Sequence, residues 1–417
     1  MSLLRLALGA ALLGLSLAPA SAAAQSAPDL ASLRAIEDQV QHLRGLHATD
    51  TPPVQVLDQA ALRQYLTDEL ERDYLPSERE SDQKELLALG LIGPGDDLLQ
   101  IQLDLLSDEV VGLYDADTKS MYVVGDAAFG PTERITYAHE FTHALQDQHY
   151  DLRALAPKHP LSNDRSLAAH ALIEGDAVLL QTLWAETNLT QDELLDVARA
   201  SASGGDDVLS RVPPIVRAEL LFPYVDGLSF VRQTYRQAGN DYAALDAVFQ
   251  HPPTSTAQVL HPDKYRAHVE PVDVSLPDLA AALGPDWRHV GAGVLGELDT
   301  RVLLQQYGDR LEAIRVAGGW SGDSWQLVER DGQSAIVLSS VWESEEAATN
   351  FFSAYGRGLR ARFAAAAADV ASPTRLALST QTAATDLRLD GRTVLAVIAP
   401  DRPTADALVA AVVASAP

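Results

Sequence analysis

The sequence ITYAHEFTHALQDQHYDL, residues 135–152, contains the pattern His-Glu-x-x-His at His139, Glu140 and His143. No proline or glycine interrupts residues 132–154, which predicts one continuous helix across the pattern. In a helix, positions i and i+4 lie about 40° apart on one face. Both imidazoles can therefore bind the same metal ion.

Glu140 supplies the other half of this chemistry. Its carboxylate follows the first histidine, so it can hold a metal-bound water and accept a proton from it. Zinc lowers the pKa of such a water to about 7, which makes a nucleophile at neutral pH. The pattern therefore predicts one zinc ion per chain and metal-assisted hydrolysis, most often of peptide bonds, with Glu140 as the general base.

A second predicted helix, residues 165–186, offers a third ligand. Two histidines fill only half of a tetrahedral zinc site, so a further protein ligand is required. Glu174 lies on this helix, 31 residues after His143, and Gly175 beside it allows two helices to approach closely. We expect Glu174 to complete a His2Glu site and Asp176 to orient a ligand histidine from behind it.

Two other residues stay open as the third ligand. His149 stands six residues after His143, but it reaches the metal only if the helix stops and turns back, normally at a glycine three residues past His143. Gln146 occupies that position. In a continuous helix His149 would point about 240° away from His143. Asp147 is the second alternative to Glu174.

The proline-rich segment HPPTSTAQVLHPDKY, residues 251–265, is typical of a functional loop followed by a short helix. Within it, His261 and Tyr265 have the i,i+4 spacing that brings two side chains to one helix face. Either side chain could donate a hydrogen bond to the oxyanion of a tetrahedral intermediate. Both are therefore candidate catalytic residues.

The stretch DEVVGLYDADTKSMYVVGD, residues 108–126, predicts a β-hairpin just before the metal helix. Its two halves, Val110–Tyr114 and Met121–Val124, are β-prone, and typical turn residues separate them. An edge strand in this place could bind an extended substrate through backbone hydrogen bonds.

The beginning of the chain indicates export. Arg5 precedes an apolar run, Leu6–Leu17, and small residues follow as far as Ala24, which is typical of a cleaved signal peptide over residues 1–24. The run is shorter than the ~20 residues that a membrane span needs. The chain contains no cysteine, which excludes a lipobox and disulfides. We therefore expect a secreted or periplasmic protein with no membrane insertion after signal cleavage.

The net charge limits the partners of the chain. Its formal charge is −27 and its pI lies near 4.6. Nucleic acid and anionic membrane surfaces would both repel such a protein, which argues against either partner. A peptide or protein substrate fits the predicted chemistry, whereas the sequence indicates no oligomeric state.

Together the motifs resemble a known clan. HEFTH followed by ALIEGDA resembles the gluzincin zinc metallopeptidases, in which HExxH and a glutamate on a following helix bind the metal. The resemblance implies His139, His143 and Glu174 as zinc ligands and Glu140 as general base. The wider run from GLYDADTKSMYVV to EGDA is similar to secreted bacterial proteins that are regarded as metallopeptidases of unknown substrate. A non-catalytic secreted binding or scaffold protein is the alternative, but the intact Glu140 argues against it.

The chain as a whole predicts an α+β fold. Residues 25–275 are expected to form a mainly helical, zincin-like catalytic domain with a small sheet or hairpin, and its first helices fall within residues 29–90. A ββαββα pattern over residues 285–417 predicts a second α+β domain, with its helices on one face of an antiparallel sheet. Residues 25–100 could also act as a pro-segment that shields the cleft.

Overall fold

The computed structural model describes residues 30–105, 112–124, 129–157, 163–203, 206–364 and 368–415. The predicted signal peptide and the first residues of the predicted hairpin lie outside the described residues. Within these ranges the fold is α+β, as the sequence predicts. None of the helices in them combines the length and the apolar character that a bilayer crossing requires.

The N-terminal region is helical, as predicted. Local signals mark where its helices begin and end: the Asp58 side chain accepts a hydrogen bond from the backbone of Ala61, and Pro76 and Gly90 flank the third helix. The helices are α1 (Leu30–Arg44), α2 (Gln59–Asp73), α3 (Pro76–Leu89) and α4 (Leu98–Leu105).

A small sheet contains the predicted hairpin. Its strands are β1 (Val54–Leu57), β2 (Gly112–Asp115) and β3 (Ser120–Val124), in the order β1-β3-β2. The antiparallel pairing of β2 with β3 confirms the hairpin within the described residues. β1 pairs with β3 in parallel, which the sequence does not predict because a four-residue strand beside two prolines carries too weak a local signal. β2 is left at one edge of the sheet.

The HExxH sequence lies on α5 (Pro131–Tyr150), which the short helix α6 (Leu152–Leu155) follows. The sequence predicts one helix to residue 154, and this is wrong by one turn. Asp151 has a φ of 54° and its side chain caps α6 by accepting a hydrogen bond from the backbone of Ala154. The predicted glutamate helix is confirmed as α7 (Asn163–Asn188).

Six more helices complete the predominantly helical part of the described chain. One of them, α10, packs along α7 and so adds a third long helix to the two that carry the motifs. The six are α8 (Gln191–Ser203), α9 (Asp206–Arg211), α10 (Pro214–Gln237), α11 (Ala243–Gln250), α12 (Thr256–Leu260) and α13 (Pro262–Arg266).

The C-terminal part is built on a seven-stranded sheet, in the order β4-β5-β6-β10-β9-β8-β7, with antiparallel neighbours throughout. Tight turns at Asp331-Gly332 and at Gly391 join β5 to β6 and β9 to β10, and the residues Asp331, Gly332 and Gly391 all have positive φ. The elements are α14 (Leu279–Leu283), β4 (Arg288–Gly293), α15 (Gly296–Gln305), α16 (Arg310–Ala317), β5 (Trp320–Arg330), β6 (Gln333–Trp342), α17 (Glu345–Phe363), β7 (Val370–Ser372), β8 (Arg375–Ser379), β9 (Ala384–Asp390), β10 (Thr393–Ala399) and α18 (Arg402–Ser415).

The helices of this part cover both faces of the sheet, so the prediction of helices on one face is wrong. Successive residues of a strand point to opposite faces, and both sets are apolar here. On β6, Ile336 and Leu338 pack with Phe351 of α17, whereas Val337 packs with Leu408 of α18. A sheet that is apolar on both faces needs a helix on each.

The N-terminal helices pack in hydrophobic cores that also contain residues from distant parts of the chain. Apolar residues of α2 and α3 lie in the same core as the α17 face of the C-terminal sheet. Those of α1, including Ile36 and Val40, pack with Phe141 of α5 and Trp184 of α7. The two helices that carry the motifs are therefore buried partly by α1.

Candidate metal centre

Three donor atoms converge between α5 and α7. His139 Nε2 lies 3.1 Å from His143 Nε2 and 3.2 Å from Glu174 Oε2, and His143 Nε2 lies 3.4 Å from the same oxygen. All three side chains are fully or almost fully buried. The structure thus brings together the three ligands that the sequence predicts.

These separations match the donor set of one zinc ion. Bonds of about 2.0–2.1 Å at tetrahedral angles place neighbouring ligand atoms about 3.3 Å apart. The observed separations of 3.1–3.4 Å span that value. Two imidazoles and one carboxylate are also the ligand types that zinc binds in catalytic sites, where water takes the fourth position. The residues therefore fit the metal.

The charges of the group favour a cation between its members. Burial disfavours charge on His143, but the Glu174 carboxylate outweighs it and raises the pKa of His143 to about 9. Burial likewise opposes charge on Glu174, and His143 nevertheless lowers the pKa of that carboxyl to about 2. A metal ion that binds here must displace the proton that this pair shares, so we expect binding to weaken at acidic pH.

Gln146 fixes the tautomer of His143. The Gln146 amide nitrogen donates to the backbone oxygen of Ile173 and to Asp176 Oδ2, each at 3.0 Å. The amide oxygen is thereby turned to His143 Nδ1, 2.8 Å away. Because an amide oxygen only accepts, Nδ1 of His143 carries a proton, and once a metal displaces the other proton the Nε2 lone pair faces the metal position.

Asp176 therefore acts on His143 indirectly. The sequence predicts a carboxylate behind a ligand histidine, and Asp176 reaches the histidine through the Gln146 amide rather than by direct contact. Asp176 is fully buried and accepts a second hydrogen bond, 3.1 Å long, from Arg44 of α1.

The two oxygens of the Glu140 carboxylate have different surroundings. Its Oε2 accepts a hydrogen bond of 2.7 Å from the backbone N–H of Tyr114, on the edge strand β2. Its Oε1 is buried and has no hydrogen-bond partner among the described residues. Burial raises the pKa of the Glu140 carboxyl, although both histidines and the Tyr114 N–H oppose this. A buried carboxyl with a raised pKa is suited to proton transfer near neutral pH.

A fourth polar side chain reaches the group from α10. Tyr224 is buried and hydrogen-bonded to Glu174, and burial together with that carboxylate raises the pKa of its phenol far above the usual value. The hydroxyl therefore keeps its proton and acts as a donor. A donor of this kind can orient a carboxylate that binds a metal.

The alternative third ligands lie elsewhere. His149 Nε2 is 2.9 Å from the backbone oxygen of His47, at the protein surface. Asp147 accepts hydrogen bonds from the hydroxyl of Tyr114 and from Lys119. Neither residue belongs to the three-ligand group.

The structure also gives His261 and Tyr265 partners outside this group. His261 Nε2 lies 2.8 Å from a buried carboxylate oxygen of Glu297. The Tyr265 hydroxyl donates to the backbone oxygen of His251 at 2.7 Å, and its ring packs edge-on against Phe230. Among the described residues, no hydrogen bond joins either side chain to the metal group, so their oxyanion role stays a prediction.

Comparisons with known proteins bear only on the C-terminal part. A family model described as a domain of unknown function, DUF8575, matches residues 286–409. Those residues hold the seven-stranded sheet and none of the side chains of the metal group. No curated protein matches the chain. No solved structure matches it either.

Sequence reasoning missed four residues that shape the site. Gln146 enters the sequence argument only as the residue that replaces a turn glycine, although its i,i+3 spacing from His143 indicates a contact. Nothing in the local sequence around Tyr224 distinguishes it from an ordinary core residue. Tyr114 and Arg44 act from distant segments, so no spacing rule connects them to the motif.

Proposed function

We propose that this protein is a zinc-dependent hydrolase that cleaves peptide bonds. One observation carries the proposal. His139 Nε2, His143 Nε2 and Glu174 Oε2 lie within 3.4 Å of one another, and the neighbouring Glu140 has a carboxylate oxygen, Oε1, with no hydrogen-bond partner among the described residues. Three protein ligands and a neighbouring base are the minimum set for metal-assisted hydrolysis.

The residues have separate roles in this proposal. A zinc ion held by the three donors would polarise the scissile carbonyl and lower the pKa of a water molecule to about 7. Glu140 accepts a proton from the attacking water at Oε1 as the C–O bond forms, and it returns that proton to the leaving amine when the C–N bond of the tetrahedral intermediate breaks. The Tyr114 N–H holds Oε2 and so keeps the carboxylate aimed during both transfers.

The location is part of the proposal. The charged start, apolar run and small residues of the first 24 positions support export to the periplasm or the medium. We expect the mature chain to begin at Gln25. N-terminal sequencing of protein recovered from the periplasm and the medium tests this.

The decisive experiment combines metal content with cleavage. Elemental analysis of the purified mature protein should give about one zinc per chain, and His143→Ala should lose it. A mixed peptide library read by mass spectrometry then shows which bonds are cut. Glu140→Gln should keep the zinc and lower cleavage by roughly 10²–10⁴-fold, because only the base is removed.

Two results would overturn the proposal. One is a parent protein that holds no zinc even after zinc is added back. The other is a zinc-loaded parent that cuts no peptide and behaves like Glu140→Gln, which would favour a secreted binding or scaffold protein.

A further inference from the structure

Arg44, the last residue of α1, is buried beneath the metal group. Its side chain is completely covered although it carries a charge, and two carboxylates balance that charge. Arg44 Nε donates to Asp176 Oδ2 at 3.1 Å and Nη1 donates to Asp246 Oδ1 at 2.7 Å. Its guanidinium also lies 4.7 Å from the centre of the Tyr242 ring. Together these three partners hold the Arg44 guanidinium in one position.

A continuous set of hydrogen bonds runs from Arg44 to the metal ligand. Asp176 Oδ2 accepts from both Arg44 and the Gln146 amide nitrogen, and the Gln146 oxygen accepts from His143. Each link has one direction, because guanidinium groups only donate and ionised carboxylates only accept. Because the Asp176 carboxylate only accepts, the Gln146 amide nitrogen faces it and the amide oxygen faces His143.

We propose that Arg44 is a positioning residue of the metal centre, which acts on His143 through Asp176 and Gln146. The inference rests on the proposed zinc site. Arg44 keeps a charged acceptor behind Gln146, and that acceptor, together with the backbone oxygen of Ile173, keeps the amide oxygen turned to His143. A reversed amide would present N–H groups to His143 Nδ1, move the imidazole proton to Nε2 and leave no lone pair for the metal.

The loss of Arg44 would remove this control. Asp176 would become a buried carboxylate without its cationic partner, which is strongly unfavourable. The side chain would then leave the position in which it accepts from Gln146. His143 would lose its fixed tautomer and orientation, although none of the three metal ligands has changed.

The same contacts bear on the possible pro-segment. Besides Arg44, α1 supplies Glu37, which accepts a hydrogen bond from Tyr137 of α5, and Gln39, which accepts one from Trp184 of α7. A segment whose side chains bond both helices that carry the proposed ligands is part of the centre. We therefore infer that α1 stays in the active protein and is not a shield that activation removes.

Zinc affinity tests the inference without reference to any substrate. The metal-free full-length protein is titrated with zinc in competition with a chromogenic chelator, and with cobalt to record its visible spectrum. Arg44→Met should weaken zinc binding roughly 10–100-fold, the range found when groups that orient metal ligands are removed. Its cobalt spectrum should also differ from that of the parent, because the ligand geometry has changed.

Two further variants make the result specific. Gln146→Met interrupts the same path with little change in volume and should weaken zinc binding to a similar degree, which also covers the case of an Arg44→Met protein that does not fold. Arg402→Met is the matched control: Arg402 bonds the buried Asp386 in the C-terminal sheet, so its loss should lower stability but leave zinc affinity within about twofold.

The outcomes separate the two proposals. A parent that binds neither zinc nor cobalt would sink the metal centre and this inference together. A parent that binds zinc, with folded Arg44→Met or Gln146→Met proteins within about twofold of it, would overturn the role of Arg44 alone. Equal weakening in Arg402→Met would show a general effect of lost stability and would also overturn it.

Discussion

Gly175 of α7 and Gly227 of α10 touch where the two helices cross. A Cβ atom on Gly175 would lie 2.4 Å from the Gly227 backbone oxygen, and one on Gly227 would lie 2.2 Å from the backbone oxygen of Ala171. Only glycine allows the two backbones to come so close. The crossing lies next to Glu174 and one turn from Tyr224, so it sets the contact between the ligand and its hydrogen-bond donor.

We expect Gly175→Ala to force the two helices apart. The added methyl group has backbone on its far side, which cannot move away cheaply, so the free energy of unfolding should fall by at least about 2 kcal/mol and zinc affinity should fall with it. Chemical denaturation and zinc titration measure both effects. Gly95→Ala is the control, because nothing lies within 4 Å of that position. Unchanged stability in Gly175→Ala would contradict the crossing geometry.

Tyr224→Phe tests whether the tyrosine hydroxyl orients Glu174. The substitution removes one donor from the ligand carboxylate and leaves the ring in place. We expect zinc affinity to fall by about tenfold, as for other groups that orient metal ligands. Tyr265→Phe removes a hydroxyl that bonds only a surface carbonyl, that of His251, and should bind zinc as the parent does. If both variants match the parent, Tyr224 does not orient the ligand.

The third ligand is tested by comparing Glu174→Ala with His149→Ala. Glu174 contributes one of the three donor atoms, so its loss should weaken zinc binding roughly 100-fold or more. His149 contacts the backbone of His47 at the surface, and its loss should leave zinc content at the parental value. Elemental analysis after dialysis measures both. Zinc retained by Glu174→Ala and lost by His149→Ala would reverse the assignment.

Asp164 gives the stability of the protein a pH dependence. Burial, reinforced by the nearby Asp323 and Glu297, raises the pKa of the Asp164 carboxyl to about 7, against about 3.9 in an unfolded chain. Between these pH values the folded protein binds a proton that the unfolded chain has lost. Stability should therefore fall as the pH rises from about 4 to about 7, and the full loss should be present above pH 7.

Asp164→Asn should remove this pH dependence. The amide is neutral at every pH, and its oxygen can still accept the hydrogen bonds from Thr256. In the presence of a chelator, the variant should be more stable than the parent at pH 8, on the order of 2 kcal/mol, and similar to it at pH 4.5. Urea denaturation at both pH values measures the difference. A constant difference across this range would show that Asp164 does not titrate as proposed.

Much of the candidate site could be predicted because its geometry is local. His139, Glu140 and His143 lie within five residues of one helix, where the helical repeat fixes their relative directions. Glu174 could be predicted from its type and from the glycine beside it. The role of Gln146 could not, because the direction of its amide depends on acceptors that α7 supplies.

In the fold, too, some features follow from local sequence and others depend on distant parts of the chain. Two hairpins of the C-terminal sheet, β5–β6 and β9–β10, turn at short local signals such as Asp331-Gly332. The parallel pairing of β1 with β3 joins segments more than 60 residues apart, and no local signal specifies it. The placement of α17 and α18 on opposite faces was also missed, since the ββαββα order by itself allows either arrangement.

The proposed chemistry can be inferred from the sequence alone, because the HExxH pattern consists of residue types at helical spacing. The way in which the proposed ligands are held in place depends on the folded structure. It brings Tyr114, Tyr224 and Arg44 from three distant segments to the base and the ligands. These contacts have no fixed spacing along the chain, because hydrogen-bond direction and helix separation depend on atoms that packing brings together.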